Sequence, residues 1–429
     1  MKLKQVLLIP WARQVFFLCV GAVIGGLAVK IYLDPPSRAW LRGDYWSSLE
    51  RVGEVFRLIE SKHYDQNISQ FDKLADNAIY GLVDSLDRHS SYFKPNEFSH
   101  FNNSMDMRYV GIGIKIRSVS EGGVVTKIFE SSPASLAQLE VGDRITRVDD
   151  HSVVGLSVAE IGNLIRGKTG SEVSLHVIGL SGVERKNKVK RGSIIMPSVE
   201  EVWVDQNKTG YMRISQFSRT TEWEVESALE VMQANGMRRI ILDLRNNGGG
   251  LLDSAVNVAG FFLPQKEVIV RVNGRSKEEL RELFSPRKDP PVEIPMVVLF
   301  NEKSASGSEL LAGALGQLGG AILVGETSFG KSSVQTIFTL SGGGGIRLTT
   351  STYSLPNGTE LSEIGLAPDV QVPCDENEER KLILQRDIGV ALDEKTYQKL
   401  FGFSRIPDRQ LNRAKEIIME SNFSKYRAE

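Results

Sequence analysis

The chain has 429 residues and a formal net charge of −1 at pH 7, with 52 Lys and Arg against 53 Asp and Glu. This length allows two or three modules, each with its own core. The near-zero net charge and the lack of a basic run interleaved with aromatic residues argue against a broad nucleic-acid-binding surface. The two cysteines, Cys19 and Cys374, leave the redox compartment open.

The amino terminus has the pattern of a membrane anchor. Basic residues precede an apolar run from Val15 to Val29, which favours a cytoplasmic amino terminus with the rest of the chain on the outer side. Leu18 stands where a lipoprotein signal needs a small residue before Cys19, and no A-x-A cleavage motif follows. We therefore predict an uncleaved signal anchor over residues 1–40.

Four further segments follow the predicted anchor. Apolar residues at helical spacing predict a small helical module over residues 41–106. Residues 107–192 contain short strand patterns separated by turns, with one helix from Val158 to Ile165, and indicate a compact β domain. Over residues 193–375 strands alternate with helices, which is typical of a largely parallel sheet covered by helices. Residues 376–429 are charged and predicted to be helical, packing on a neighbouring module or a second subunit.

A candidate nucleophile lies in the fourth segment. Ser306 follows an apolar strand pattern and opens a predicted helix, so its hydroxyl would lie near the positive end of the helix dipole. The Gly307 N–H could then donate to a developing oxyanion. The alternative is an ordinary N-cap serine, with Glu309 completing a capping box, and that is the commoner use of a serine in this setting.

A candidate base lies further along the same segment. The chain has no histidine after His176, and all five histidines fall in the first two modules, so a Ser-His-Asp triad is disfavoured. Lys331 could replace the histidine if burial lowers its pKa. Gln335 lies four residues on, and it would reach the amine only across a bent or single-turn segment. We predict such a segment, with Gln335 orienting Lys331.

The same residues also fit a nucleotide-binding pattern. Residues 325–332 match the P-loop motif GxxxxGK[ST], whose lysine would be Lys331. A P-loop must open a helix, whereas residues 334–340 alternate as a strand and run into a glycine-rich turn. We therefore rank an NTPase below a hydrolase.

A glycine-rich loop could supply a second oxyanion donor. Residues 246–250, Asn-Asn-Gly-Gly-Gly, follow a strand pattern and precede a helix, so the N–H of Gly249 or Gly250 could point at a substrate. The alternative is a simple tight turn.

Several motifs in chain order resemble those of one family. These are Leu-Asp-Arg-His-Ser-Ser-Tyr-Phe at 86–93, Tyr-Val-Gly-Ile-Gly-Ile at 109–114, the stretch from Ser-Ser-Pro-Ala to Gly-Asp-Arg-Ile at 131–145, Leu-Ile-Arg-Gly-Lys-Thr-Gly at 164–170, Tyr-Ser-Leu-Pro-Asn-Gly at 353–358 and Gly-Leu-Ala-Pro-Asp-Val at 365–370. Together they resemble the C-terminal processing, or tail-specific, peptidases, which are serine-lysine proteases with an inserted PDZ domain.

This resemblance implies a multidomain α/β fold, with a crotonase/ClpP-like β-α protease core (193–375), an inserted PDZ domain (107–192) and helical regions at both ends. It implies a serine endopeptidase that binds protein C-terminal tails and cleaves near them, without metal or organic cofactor. It assigns the nucleophile to Ser306, the base to Lys331, the orienting amide to Gln335, the oxyanion donors to Gly307 and Gly249 or Gly250, and the tail-binding loop to Val110, Gly111, Ile112, Gly113 and Ile114. Together with the anchor it implies a single-pass bacterial inner-membrane protein with its catalytic domain in the periplasm.

Three residues depart from the family pattern. Gly248 replaces the proline of Asn-Pro-Gly-Gly, Arg88 replaces the proline of the Leu-Asp-Pro-His-Ser motif, and Gly307 replaces the commoner alanine. The expected partners are proteins with exposed, apolar C-termini, and not nucleic acid. A homodimer and an activating adaptor stay open as hypotheses. The alternatives to a peptidase are a catalytically inactive PDZ adaptor and the P-loop NTPase.

Overall fold

The computed structural model describes residues 42–276 and 280–420. The chain divides between Leu86 and Asp87 into two compact units. The predicted anchor over residues 1–40 lies outside the described residues. None of the helices in the described ranges combines the length and the apolar character that a membrane span needs.

The smaller unit is helical. Helix α1 spans Gly43–Lys62 and α2 spans Phe71–Asp84. The apolar residues of α1 recur at helical spacing, but none of its side chains is buried. In α2, Val83 is buried.

A β domain lies within the larger unit. It consists of strands β2 (Arg108–Gly111), β3 (Ile114–Val119), β4 (Gly122–Ile128), β5 (Arg144–Val148), β6 (His151–Ser152), β7 (Glu172–Ile178), β8 (Glu184–Lys190) and β9 (Gly192–Ile195), with helices α4 (Pro133–Leu136) and α5 (Val158–Ile165). Its main sheet has the order β3-β4-β5-β7-β8, which leaves β3 at an edge. Helix α5 begins after Ser157, whose hydroxyl accepts the Glu160 N–H at 3.3 Å.

A six-stranded sheet forms the centre of the larger unit. Its order is β10 (Val199–Val204), β11 (Thr209–Ile214), β12 (Arg239–Asp243), β15 (Met296–Phe300), β16 (Ile322–Gly325) and β19 (Val370–Gln371). All neighbours pair in parallel except β10 and β11. Every residue of β15 is buried, as expected for a parallel strand covered on both faces. The β-α alternation predicted from the sequence is therefore confirmed.

Helices cover both faces of this sheet. Helices α6 (Thr221–Ala234), α7 (Leu252–Ala259) and α8 (Gly307–Gly319) contribute to the core on one face. On the other face lies α11 (Arg409–Met419), which buries Ala414, Ile417 and Ile418 against the strands. The two remaining C-terminal helices are α9 (Glu376–Ile388) and α10 (Glu394–Phe401). The C-terminal region therefore packs on a neighbouring module of its own chain.

A second sheet of the larger unit has five strands. It contains β1 (Ser91–Phe93), β13 (Val268–Asn273), β14 (Arg281–Phe284), β17 (Ser333–Thr339) and β18 (Gly345–Ser354). Helix α3 (Pro95–Met105) follows β1. The sequence analysis did not predict β1, β13 or β14. Because β1 pairs with β18, the structure joins residues 91–93 of the predicted helical module to the sheet that carries β17.

Candidate active site

The backbone at Ser306 has an unusual conformation. Ser306 immediately precedes α8, with φ 56° and ψ −115°, a combination that residues other than glycine rarely adopt. Such strain in a strand-to-helix turn is typical of an exposed nucleophile. The Ser306 N–H donates to Glu309 Oε2 at 2.7 Å, so the Glu309 half of the predicted capping box is present as well.

Lys331 lines the same cleft as Ser306. This cleft has a volume of about 200 Å³, and it is also lined by Gln335, Gly250 and Arg347. Lys331 lies between β16 and β17, and a strand rather than a helix follows it. The P-loop alternative is wrong, because no helix N-terminus is available there to bind a phosphate.

Burial and nearby positive charges lower the pKa of Lys331 below that of an ordinary lysine. Burial is the largest effect, followed by the positive charge of Arg347 and then that of Arg88. The Glu309 carboxylate opposes them, but the net shift is downward. A lysine shifted in this direction is more often neutral, and only the neutral amine can accept a proton.

Gln335 lies on a bent part of β17. A β-bulge falls between Val334 and Gln335 in the pairing with β18. A bulge interrupts the strict alternation of side chains along a strand, which allows Lys331 and Gln335 to line one cleft. The predicted bend is therefore present, but the alternative of a single helical turn was wrong.

Two hydroxyl groups hold the side-chain amide of Gln335 in place. Its Nε2 lies 2.9 Å from Ser333 Oγ and 3.3 Å from Thr349 Oγ1. Thr349 Oγ1 in turn donates to Asp87 Oδ1 at 3.1 Å. Burial alone would raise the pKa of Asp87, but hydrogen bonds from Ser90, His89 and Thr349 bring it down to about 2. This ionised carboxylate therefore fixes Thr349, and through Thr349 it fixes the amide of Gln335.

Glu309 and Tyr353 hold the backbones of the two candidate catalytic residues. Glu309 Oε2 accepts the N–H groups of Ser306, at 2.7 Å, and of Lys331, at 3.0 Å. Tyr353 Oη lies 2.9 Å from the Ser306 carbonyl oxygen and 2.5 Å from that of Lys331. Both side chains are 1% exposed, so these bonds are shielded from water. The sequence analysis treated Glu309 only as a helix cap and gave Tyr353 no separate role.

The candidate oxyanion donors differ in their surroundings. The Gly249 N–H donates to Asn247 Oδ1 at 2.9 Å and is already paired. Gly250 lines the cleft, and its φ of 146° favours glycine, since a Cβ there would lie 2.0 Å from the Phe217 carbonyl oxygen. Gly307 is the first residue of α8, where an N–H has no acceptor within the helix.

One histidine lies closer to the site than its place in the sequence indicates. His89 belongs to the predicted helical module, but burial and the charge of Lys331 both lower its pKa. The pairing of β1 with β18 brings this segment to the core. His89 is absent from the lining of the cleft, so it does not replace Lys331 there.

A second cavity of about 310 Å³ lies between β3 and α5. Of the predicted tail-binding residues, Gly111, Ile112, Gly113 and Ile114 line it. Val110 does not, and pairs instead with Ser193 across β2 and β9. We call this cavity the tail groove; Arg166, Lys115 and Asp387 also line it.

Comparisons with known proteins agree with this architecture. The model of peptidase family S41 matches residues 208–372, and the PDZ domain model matches residues 104–178. A probable CtpA-like serine protease of Staphylococcus epidermidis is 34% identical over 376 residues, covering 86% of this chain and 73% of that protein. The carboxy-terminal processing protease CtpA of Bacillus subtilis is 31% identical over 366 residues, covering 83% of this chain and 77% of that protein.

A solved structure supports the fold. A putative S41 protease from Bacteroides fragilis is 14% identical, with a TM-score of 0.51 over 77% of this chain and 92% of its own. The chain belongs to the S41 C-terminal processing peptidase family. It is a serine protease with a PDZ domain, and the family, fold class and enzyme class predicted from its motifs are confirmed. The predicted domain boundaries stay predictions.

We expect Arg347→Gln to move the acidic limb of the kcat/KM pH profile to higher pH. Removing the positive charge relieves its repulsion of protonated Lys331, so the pKa of Lys331 rises and less neutral amine remains at neutral pH. The charge-conserving Arg347→Lys should leave the limb near its original position. An unchanged limb in Arg347→Gln, measured with a small peptide substrate, contradicts this electrostatic role.

We also expect Tyr353→Phe to lower kcat about tenfold with little change in KM, since the lost hydroxyl contacts cost on the order of 1.5 kcal/mol. Tyr397→Phe is the matched control, because the buried Tyr397 hydroxyl has no hydrogen-bond partner among the residues described. The kcat and KM of both variants are measured by steady-state kinetics, and thermal unfolding confirms that both are folded. Equal kcat in the two variants excludes a positioning role for Tyr353.

Proposed function

We propose that the protein is a serine endopeptidase with a Ser306–Lys331 dyad, in which Gln335 orients the lysine amine. The observation that supports this most directly is the shared cleft, where the strained Ser306 and a lysine of lowered pKa lie together with Gln335. Retention of all three groups argues against an inactive PDZ adaptor.

The proposed reaction has two halves. Neutral Lys331 accepts the hydroxyl proton as Ser306 Oγ attacks the substrate carbonyl carbon. The oxyanion accepts hydrogen bonds from the N–H of Gly307 and that of Gly250, or of Gly249 once Asn247 releases it. The Lys331 ammonium then protonates the leaving amine as the peptide C–N bond breaks, which leaves the acyl group on Ser306 Oγ. In the second half, neutral Lys331 accepts a proton from water as the water oxygen attacks the acyl carbon, and it returns that proton to Ser306 Oγ as the ester bond breaks.

The tail groove is the proposed recognition site for substrate C-termini. Its strand, β3, is an edge strand, so an extended peptide can add to the sheet beside α5. Backbone amides of residues 111–114 would hold the terminal carboxylate, with the positive charge of Arg166 nearby. Ile114, Ile116 and Val158 line the groove and favour an apolar last residue.

The cleft around Ser306 has apolar walls. The lining residues that share this character are Phe101, Met105, Leu251, Leu252, Val334 and Ile337. Burying an apolar side chain against such walls is favourable. We therefore infer cleavage after apolar residues, close to the tail that the groove holds.

The function is tested with an unfolded protein that ends in an apolar residue, without nucleotide or metal. We expect cleavage by the wild type and by Lys188→Ala, which removes an exposed lysine of β8, and none by Ser306→Ala or Lys331→Ala. The same substrate with a C-terminal amide should show a higher KM, because the groove loses its carboxylate. Processing by Ser306→Ala contradicts the dyad. Tail binding without cleavage by the wild type supports the adaptor.

The proposed location is a bacterial inner membrane, with one span in residues 1–40 and the catalytic domain in the periplasm. The apolar run behind basic residues supports it. We expect the full chain to sediment with membranes and to be digested by protease added to spheroplasts. Resistance to digestion in intact spheroplasts, with digestion after lysis, contradicts this orientation. Dimerisation and an activating adaptor remain hypotheses.

A further inference from the structure

Helix α9 contacts both functional regions of the protein. It has 13 residues, from Glu376 to Ile388. Glu379, near its start, contacts the loop that leads to Ser306, and Asp387, near its end, lines the tail groove. At a rise of about 1.5 Å per residue, these two positions lie about 12 Å apart along one helix.

The first contact involves a buried carboxylate. Glu379 is 7% exposed, and its Oε1 accepts a hydrogen bond from Asn301 Nδ2 at 2.7 Å. Its other oxygen pairs with the Lys303 ammonium. Asn301 and Lys303 belong to the segment between β15 and Ser306, so Glu379 supports the turn that carries the nucleophile.

Asn301 extends this support to the glycine-rich loop. Its Oδ1 accepts the Asn246 N–H at 2.9 Å, and its Nδ2 lies 3.3 Å from Asn246 Oδ1. Residues 246–250 provide the proposed second oxyanion donor. A shift of Glu379 therefore acts on the nucleophile turn and the oxyanion loop together.

The second contact lies at the tail groove. Asp387 Oδ1 pairs with Lys115 Nζ at 2.7 Å, and both residues line the groove. Lys115 belongs to β3, the edge to which a tail would add. The Asp387 side chain is only 18% exposed, and Leu384 and Ile388 pack in a cluster with Val141 of the PDZ domain. The end of α9 is thus fixed against this domain.

A purely structural role of α9 does not account for these charges. The helix also buries the apolar side chains of Leu382, Leu384 and Ile388, which stabilise its packing without the two carboxylates. Burying a carboxylate is costly, and an apolar residue of similar size often gives equal or greater stability. The buried Glu379 and the half-buried Asp387 lie where α9 meets the two sites.

We propose that α9 couples the tail groove to the active site. Asp387 is a tail-site residue supplied from outside the PDZ domain, and Glu379 is a positioning residue that acts on Ser306 through Asn301. A tail that adds to β3 lies beside the Lys115–Asp387 pair and displaces or tightens it, and the helix carries that change to Glu379. The inference rests on the functions proposed above for both sites.

The experiment uses the full chain in detergent micelles and two separate peptides. One is a fluorogenic substrate with a C-terminal amide, and the other is a labelled, uncleaved tail peptide with an apolar last residue and a free carboxylate. Anisotropy of the labelled peptide reports tail binding, and kcat and KM are measured with and without saturating tail peptide. The variants are Asp387→Asn, Glu379→Ala and Glu379→Gln.

The matched control is Glu376→Gln on the same helix, because Glu376 is exposed and pairs only with Arg380 among the described ion pairs. We expect bound tail peptide to raise kcat of the wild type and of this control about fivefold or more. Asp387→Asn should bind the peptide but lose this stimulation. A residue that transmits the signal should affect the stimulation of kcat without abolishing binding of the tail peptide.

Glu379→Ala should lower kcat about tenfold to a hundredfold with an unchanged KM, since the nucleophile turn loses its support. Glu379→Gln should recover most of kcat, because its amide oxygen still accepts the bond from Asn301. Thermal unfolding shows whether each variant is folded. If Glu379→Ala does not fold, the inference is decided by Glu379→Gln and Asp387→Asn.

Three results overturn the inference. They are a wild type that binds the tail peptide without stimulation, an Asp387→Asn protein stimulated like the wild type, and a Glu379→Ala protein with the kcat of the control. If the wild type cleaves the substrate but its kcat is the same with and without bound tail peptide, the coupling is overturned and the proposed function is not. Absence of any cleavage by the wild type overturns the proposed function and the coupling with it.

Discussion

The carboxylate of Glu309 holds together the two segments that carry Ser306 and Lys331. Besides Ser306 and Lys331, it accepts the Gly330 N–H at 2.7 Å and the Ser328 hydroxyl, and it is almost fully buried. Burial raises the pKa of Glu309, and these four donors oppose that rise, so its charge is stabilised only while both segments are in place. A strained turn and an irregular loop, distant in sequence, thus become one rigid site.

The sequence predicted those parts of the structure that depend on local pattern. Strand β15 lies within the predicted β-α alternation, and its wholly apolar run of five residues is typical of a strand buried on both faces. Helix α5 matches Val158–Ile165, since a capping Ser157 marks its start. The core alternation and the family motifs were likewise available from the residues alone.

The remaining features depend on contacts between distant residues. Strand β1 has three residues, too few for a periodic signal, and forms because β18 is available to pair with it. A bulge such as the one before Gln335 cannot be predicted from the two-residue alternation of side chains along a strand, because the bulge interrupts that alternation. The pairing of the Gly249 N–H with Asn247, the approach of His89 to Lys331 and the contacts of α9 likewise require the folded chain.

The open edge of β3 has a consequence for turnover. A peptidase that holds its substrate by the end it removes retains that fragment after the bond is cut, still hydrogen-bonded along the edge strand. The next substrate must wait until the fragment dissociates, so a tail that binds too tightly acts as a product inhibitor. Selection on the tails of natural substrates should therefore favour intermediate affinity, with residence times no longer than the chemical step.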